Sequence, residues 1–243
     1  MNIHTIILAG GKGTRMLSQK AKVLQALGGR TMLNHVLTTA NKISNKISVV
    51  VGFDKEGVEE EIKKIGINAN TYLQKEQIGT ADAVKTTLKD IDKNEKILIL
   101  YGDVPLIKEE TLEKLCNQES DLSILTTNLK NPTGYGRALK DKENNVLGII
   151  EEKDADLEQK KIKEIFTGIL VTKGVLLKNF IPEIDNNNSA KEFYLTDLIG
   201  IAHKNGFKIN TLSSSNEETA GANNRIEQEE LEKTLRIMKS EDL

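Results

Sequence analysis

With one cysteine in 243 residues, Cys116, the chain can close no disulfide within itself. No second cysteine or nearby histidine completes a thiolate metal site either. Histidine is almost as scarce: His4, His35 and His203 are scattered, form no pair at metal-ligand spacing, and read as structural or surface residues. Charge of one sign is not in excess, since 34 Lys and Arg stand against 36 Asp and Glu, a formal net charge of -2. The chain therefore lacks the basic surplus that nucleic acid or an anionic membrane favours, and any anionic ligand must be met by local cations. No apolar run approaches the length of a membrane span, and no basic segment precedes an apolar stretch at the N-terminus. The cytoplasm is the expected compartment. No G-x-S-x-G elbow occurs, and Cys116 has no evident partner base.

What is present is an alternation. "TIILA" (5 to 9), "ISVVV" (47 to 51), "ANTYL" (69 to 73) and "KILILY" (96 to 101) read as strands. The first, second and fourth are nearly all apolar, as strands buried on both faces of a parallel sheet must be. Between them, 31 to 44, 55 to 65 and 79 to 90 carry apolar residues at helical spacing, which predicts an α/β sheet covered on both faces. After residue 121 the rhythm changes. "DLSILTTNL", "GRALKDKENNVLGIIEEK" and "IKEIFTGILVTK" predict longer strands joined by Asn, Asp and Gly turns, forming a β-rich cover over one end of the sheet. "NNNSAKEFYLTDLIGIAHKNG" predicts a return to helix, and a charged amphipathic helix ends the chain.

Ligands of an open parallel sheet bind beyond the carboxyl ends of its strands. The informative loops fall there. After the first strand comes "LAGGKGTRM", which is neither G-x-x-x-x-G-K-[ST] nor G-x-G-x-x-G. What remains is a run of Gly10, Gly11 and Gly13 that lets backbone N–H groups approach an anion, with Arg15, Lys12 and Lys22 as cations. A tight turn with solvated basic residues is the alternative. "YGDVPL" sets Asp103 just past the fourth strand, where a carboxylate either holds a divalent metal that bridges phosphates or caps the next helix. Asp54, after the second strand, is read as a helix start without a catalytic role. Cations with one or two carboxylates at strand ends suit phosphoryl or nucleotidyl chemistry.

"LAGGKGTRM" with Lys22, "GTADA", "YGDVPL", "PTGYGR", "IIEEKDA", "TGIL", "EFYLTD" and "GANNR" follow one another over nearly the whole chain. In that order and approximate spacing they resemble the uridyltransferase domains of the bacterial bifunctional N-acetylglucosamine-1-phosphate uridyltransferase/glucosamine-1-phosphate acetyltransferases. The resemblance implies a Rossmann-like nucleotidyltransferase fold, a mostly parallel central sheet with a β-rich sugar-binding cover. It implies a Mg²⁺-dependent enzyme joining UTP to a sugar 1-phosphate and releasing pyrophosphate, with no nucleic-acid or membrane partner and no stated oligomeric form. A nucleotidyltransferase domain over 1–225, a linker-like helix over 226–243 and no β-helix acetyltransferase domain complete the implied organisation.

By the same resemblance Arg15 and Lys22 grip the phosphates as the catalytic pair. Leu8, Ala9, Gly10, Gly11 and Gly13 lie at the nucleotide, and Gln74, Gly79 and Thr80 read uracil. Asp103 and Asn223 match metal ligands, while Tyr101, Gly136, Glu151, Phe166, Tyr194 and Thr196 fall on the sugar phosphate site. Four departures from the family pattern stand out. The usual alanine of the opening loop is Gly10. The proline before the lysine is Ala21, which loosens the approach of Lys22. "GTADA" replaces G-T-G-H-A, so Ala81 and Asp82 stand for glycine and histidine, and Phe166 stands where an asparagine meets the sugar. A different sugar 1-phosphate or nucleoside triphosphate, and a non-catalytic nucleotide-sugar binding module, are the alternatives. A sugar phosphate is largely ionised at neutral pH, its second pKa lying near ~6, so no general base is required.

Overall fold

The first strand, β1 (Ile3–Leu8), is buried along its whole length, and its alternate residues serve two separate cores. Ile6 and Leu8 pack into one, Ile3 and Ile7 into the other. The computed structural model describes residues 2–13, 20–222 and 224–241. In chain order there follow β2 (Ala26–Leu27), β3 (Arg30–Thr31), α1 (Met32–Ile43), β4 (Lys46–Val51), α2 (Lys55–Ile65), β5 (Asn70–Leu73), α3 (Thr80–Lys85), β6 (Lys96–Tyr101) and α4 (Glu109–Cys116). The second half holds β7 (Leu122–Asn128), β8 (Arg137–Lys140), β9 (Val146–Ile150), β10 (Glu164–Lys173), α5 (Gly174–Phe180), α6 (Asp197–Lys204), β11 (Ile209–Ser213), α7 (Asn216–Thr219) and α8 (Arg225–Glu241).

The central sheet runs β11-β7-β10-β6-β1-β4-β5. β6, β1, β4 and β5 are parallel neighbours, β11 is parallel to β7, and β10 runs antiparallel to both β6 and β7. Period-two alternation explains why both faces need cover. Ile97 and Ile99 turn to the side of α3, α5 and α6, whereas Leu98 and Leu100 turn to the side of α1, α2 and α4. α1 starts where the Thr31 hydroxyl accepts the Asn34 N–H at 3.0 Å, and α2 stops at Gly66, whose φ of 78° suits glycine. Cys116, the last residue of α4, is buried, which pushes its thiol up to about 11.

The expected strands and helices of the first hundred residues are present within two residues at almost every boundary, except that the expected 79–90 helix breaks into α3 and a 3₁₀ turn at Leu88–Asp90. The stretch read as a cover divides. β7 and β10 complete the central sheet, and the β8–β9 hairpin alone stands off it, joined through Arg137 and Ile165. The expected helix over 186–206 is a correction: only Asp197–Lys204 is helical. Upstream, the Phe193 N–H donates to Ile78 O at 2.8 Å and Phe193 O accepts the Ala81 N–H at 2.9 Å. That pairing with a distant segment overrides local helical spacing.

α8 lays Leu231 and Leu235 on Leu27, Met32 and Leu106, so it is packed on the body of the fold. Among the described residues, no helix is long and apolar enough to cross a membrane.

Candidate active site

The loop after β1 is held from three sides. Leu8 O accepts the Gly102 N–H at 2.9 Å, the Ala9 N–H donates to Val50 O at 2.9 Å, and Gly10 O accepts the Phe53 N–H at 3.0 Å. The loop lies so close to the chain after β4 that a Cβ on Gly52 would come within 2.7 Å of Gly10 O. Gly13 has a φ of 61°, and a Cβ there would meet the Lys22 side chain at 2.7 Å. Glycine is required at both places for close approach. Lys12 Nζ lies 5.5 Å from the centre of the Phe53 ring. Arg15 lies outside the described residues, as does Asn223.

Asp54 stands at the start of α2 but does not cap it with its side chain. Its Oδ2 accepts the Ala21 N–H at 3.0 Å instead. Ala21 has a φ of -53°, a proline-like backbone value, so the position where the family carries proline keeps that geometry. The approach to Lys22 is fastened by a hydrogen bond that proline could not donate, not loosened.

Two cavities open along the strand ends. The first, of about 230 Å³, is lined by Leu8, Ala9, Gly10 and Gly11 from the opening loop and by Gln74, Gly79 and Thr80 from the loop after β5. The second, of about 330 Å³, is lined by Gly136, Glu151, Phe166 and Thr196. Tyr101 and Asp103 line both, so the cavities meet at the end of β6. Lys22 lines the first and forms an ion pair with Asp103. Tyr194 lines neither; it lines an adjoining depression with Asp154, Asp185 and Asp197, which shares Glu151 with the second cavity. Burial first, and then the nearby Asp154, Glu151, Glu192 and Asp197 carboxylates, push its phenol up to about 12.

The Tyr101 side of the junction is closely packed. Burial raises the Tyr101 phenol well above its ordinary value. Gly168, with a φ of 90°, packs under the ring, where a Cβ would come 2.7 Å from Tyr101 Cε2. Burial also holds the Glu151 carboxyl above the usual range, opposed by the Thr196 hydroxyl, which donates to Glu151 Oε1 at 2.9 Å. Next to Gly136, the buried Arg137 pairs with Glu152 at 2.5 Å.

Across the first cavity, Gly79 has a φ of 135°, and a Cβ there would lie 2.3 Å from Phe193 O. The Leu195 N–H donates to the Thr80 hydroxyl at 3.0 Å, completing the seam between this loop and the segment that precedes α6. Glu192 and Gln77, which the sequence reading did not single out, line the first cavity as well. No spacing marks Glu192. Gly168 lies in "TGIL", and a glycine inside an apolar strand is a usable signal of close approach.

A loop of glycines and cations at one cavity, a polar second cavity and one carboxylate at their junction suit a nucleotidyltransferase. A MobA-like NTP transferase domain matches residues 5–155, and the chain belongs to that family. The chain is 43% identical over 239 residues, 97% of its length, to the bifunctional protein GlmU of Ruthia magnifica subsp. Calyptogena magnifica. It spans 52% of that relative, about half its length, in keeping with the one domain whose motifs it resembles. A Bacillus anthracis protein described as a glucose-1-phosphate thymidylyltransferase, crystallised with sucrose, superposes with a TM-score of 0.76 at 19% identity. That alignment covers 95% of this chain and 94% of the other, and it shows the shared fold.

Proposed function

We propose that the protein transfers UMP from UTP to N-acetylglucosamine 1-phosphate in a Mg²⁺-dependent reaction, giving UDP-N-acetylglucosamine and pyrophosphate in the cytoplasm. The observation that carries this reading is the meeting of two cavities at Tyr101 and Asp103, with Lys22 beside them. Two substrates bound end to end would bring their phosphates together at that point. An oxygen of the sugar phosphate forms a bond to the α-phosphorus of UTP while the bond from that phosphorus to the bridging oxygen breaks, and pyrophosphate leaves with the electron pair. The attacking oxygen needs no base to deprotonate it near neutral pH. Positioning and charge neutralisation are then the whole task of the protein.

The residues suit a hard cation. Mg²⁺ takes one or two protein oxygens and fills its remaining positions with water and phosphate. Asp103 would hold it, with Asn223 the second ligand by family resemblance. Gly221 passes alongside, where a Cβ would come 3.1 Å from Asp103 O, tighter than ordinary contact, so glycine permits the close approach of the two backbones beside the carboxylate. When bound, Mg²⁺ supplies neutralisation of triphosphate charge. Lys22 Nζ, now on Asp103, is within its own reach of the same junction and binds phosphate oxygen as a point charge.

Pyrophosphate release measured across UTP, CTP, dTTP, ATP and GTP, each with several hexose 1-phosphates and with or without Mg²⁺, tests the reading. UTP with N-acetylglucosamine 1-phosphate and Mg²⁺ is expected to be the best combination. A purine triphosphate as the best donor, or full turnover in excess chelator, overturns it.

Phe166 carries a second expectation. It lines the sugar cavity with only 5% of its surface exposed, its N–H donating to Gly136 O at 2.9 Å. An apolar ring offers no hydrogen bond where an asparagine would offer two kinds. Phe166→Asn is expected to lower the KM for N-acetylglucosamine 1-phosphate relative to other hexose phosphates by about three- to tenfold, the worth of one hydrogen bond. It also removes buried ring surface at a cost of about 3 kcal/mol, so the assay is run well below the melting temperature. An unchanged selectivity ratio removes Phe166 from sugar recognition.

A further inference from the structure

We infer that Asp82 is the positioning residue that sets base specificity, by locking the Gln74 side chain so that its amide oxygen, and not its NH₂, is presented to the nucleobase. The inference rests on the nucleotidyltransferase reading above and concerns one edge of the base. Gln74 is 5% exposed and lines the first cavity. Its Nε2 donates to Gly79 O at 2.9 Å and to Asp82 Oδ2 at 3.0 Å. A backbone carbonyl and a carboxylate offer only acceptors. An amide can usually be turned over by exchanging its nitrogen and oxygen, but here the exchange would set an oxygen against two oxygens. The orientation is therefore dictated by its partners.

The amide oxygen lies on the side of Gly10. A Cβ on Gly10 would come 3.2 Å from Gln74 Oε1, tighter than most side-chain contacts, and the amide oxygen would have to give by a few tenths of an ångström. Two positions where the chain departs from its relatives' pattern, Gly10 and Asp82, thus touch the two ends of one amide. One holds the nitrogen, and the other leaves room for the oxygen. An oxygen offered to the base accepts from an N–H. Uracil and thymine carry an N–H at ring position 3, whereas cytosine has a bare acceptor nitrogen there and an amino group beside it. The class selected is a pyrimidine with an imide edge.

A competing role for Asp82 is local, because it lies in the first turn of α3, where an acidic side chain favours the helix start. That role would affect every nucleotide alike. The test is kcat/KM for UTP and for CTP in wild type, Asp82→Asn and Asp82→Ala, with melting temperatures as a fold control. The UTP to CTP ratio is expected to fall about fivefold or more in Asp82→Ala, on the scale of one hydrogen bond, with Asp82→Asn intermediate because its own amide can turn. The change should sit in the nucleotide KM and leave the KM for sugar phosphate in place. A parallel loss for both nucleotides, or a ratio that moves in neither variant, overturns the inference while wild-type UTP turnover leaves the proposed function standing. A wild-type protein that turns over no pyrimidine triphosphate overturns both.

Discussion

Asp103→Asn is expected to lower kcat by roughly a hundred- to a thousandfold, the scale of losing one preorganised electrostatic contact to a phosphoryl group in transfer. The fold should survive, because Asp103 sits at the mouth of both cavities and its removal leaves the buried faces of β6 intact. The substitution keeps the size of the side chain and removes its charge. Its partner is affected too. Lys22, paired with Asp103 in this structure, keeps its charge beside the triphosphate in the variant, so the KM for UTP should rise far less than kcat falls. Steady-state pyrophosphate release over a Mg²⁺ titration checks both statements. Near wild-type turnover at saturating Mg²⁺ would remove Asp103 from the reaction and, with it, the metal assignment.

Gly79→Ala carries the second large effect, expressed in stability and binding together. The residue has a φ of 135°, and a methyl group would be placed 2.3 Å from Phe193 O and 2.4 Å from Phe193 N. Backbone strain of that kind costs on the order of 1–3 kcal/mol. Relief by separation would break the Phe193–Ile78 and Ala81–Phe193 hydrogen bonds, at about 0.5–1.5 kcal/mol each. A loss of several kcal/mol lowers the melting temperature of a domain of this size by about 10 °C. Gln74 donates to Gly79 O, so the amide loses its anchor as well, and the nucleotide KM should rise more than the sugar phosphate KM. Calorimetry and two-substrate kinetics test it. An alanine variant with unchanged melting and unchanged KM values would mean that the loop can swing away from Phe193 without cost.

The first half of the fold is legible in the sequence because β1, β4 and β6 are short apolar runs between amphipathic helices, and each element follows from its own residues. The second half is less so. β10 carries ten residues whose pairing partners lie tens of residues away, and nothing local says whether they extend the main sheet or stand over it. The segment before α6 shows helical spacing but is claimed by Ile78 and Ala81, more than a hundred residues upstream. The loops that line the two cavities were legible as positions, being strand ends, yet their internal contacts were not. Asp54 illustrates this. Its place at the start of α2 is readable from the chain, whereas its bond to Ala21 depends on the distance between two loops that only folding brings together. Tyr194 was placed with the sugar residues by motif, and the structure sets it in an adjoining depression that shares Glu151 with the second cavity.

The opposed direction of β10 has an evolutionary reading. The parallel strands deliver loops to the ligand crevice, and a loop can change length without disturbing the sheet behind it. β10 runs the other way, so the body of a strand is what reaches the second cavity: Phe166 pairs with Thr126 of β7, and Gly168 lies under the Tyr101 ring in the bulge between Phe166 and Leu170. A change of length there has to be taken up within that bulge, because pairing resumes at Leu170 with Ile124 and any shift beyond it would turn the strand's faces over. The donor end of this molecule is thus free to diversify by insertion and deletion, and the acceptor end has only the bulge of β10 and the exchange of side chains.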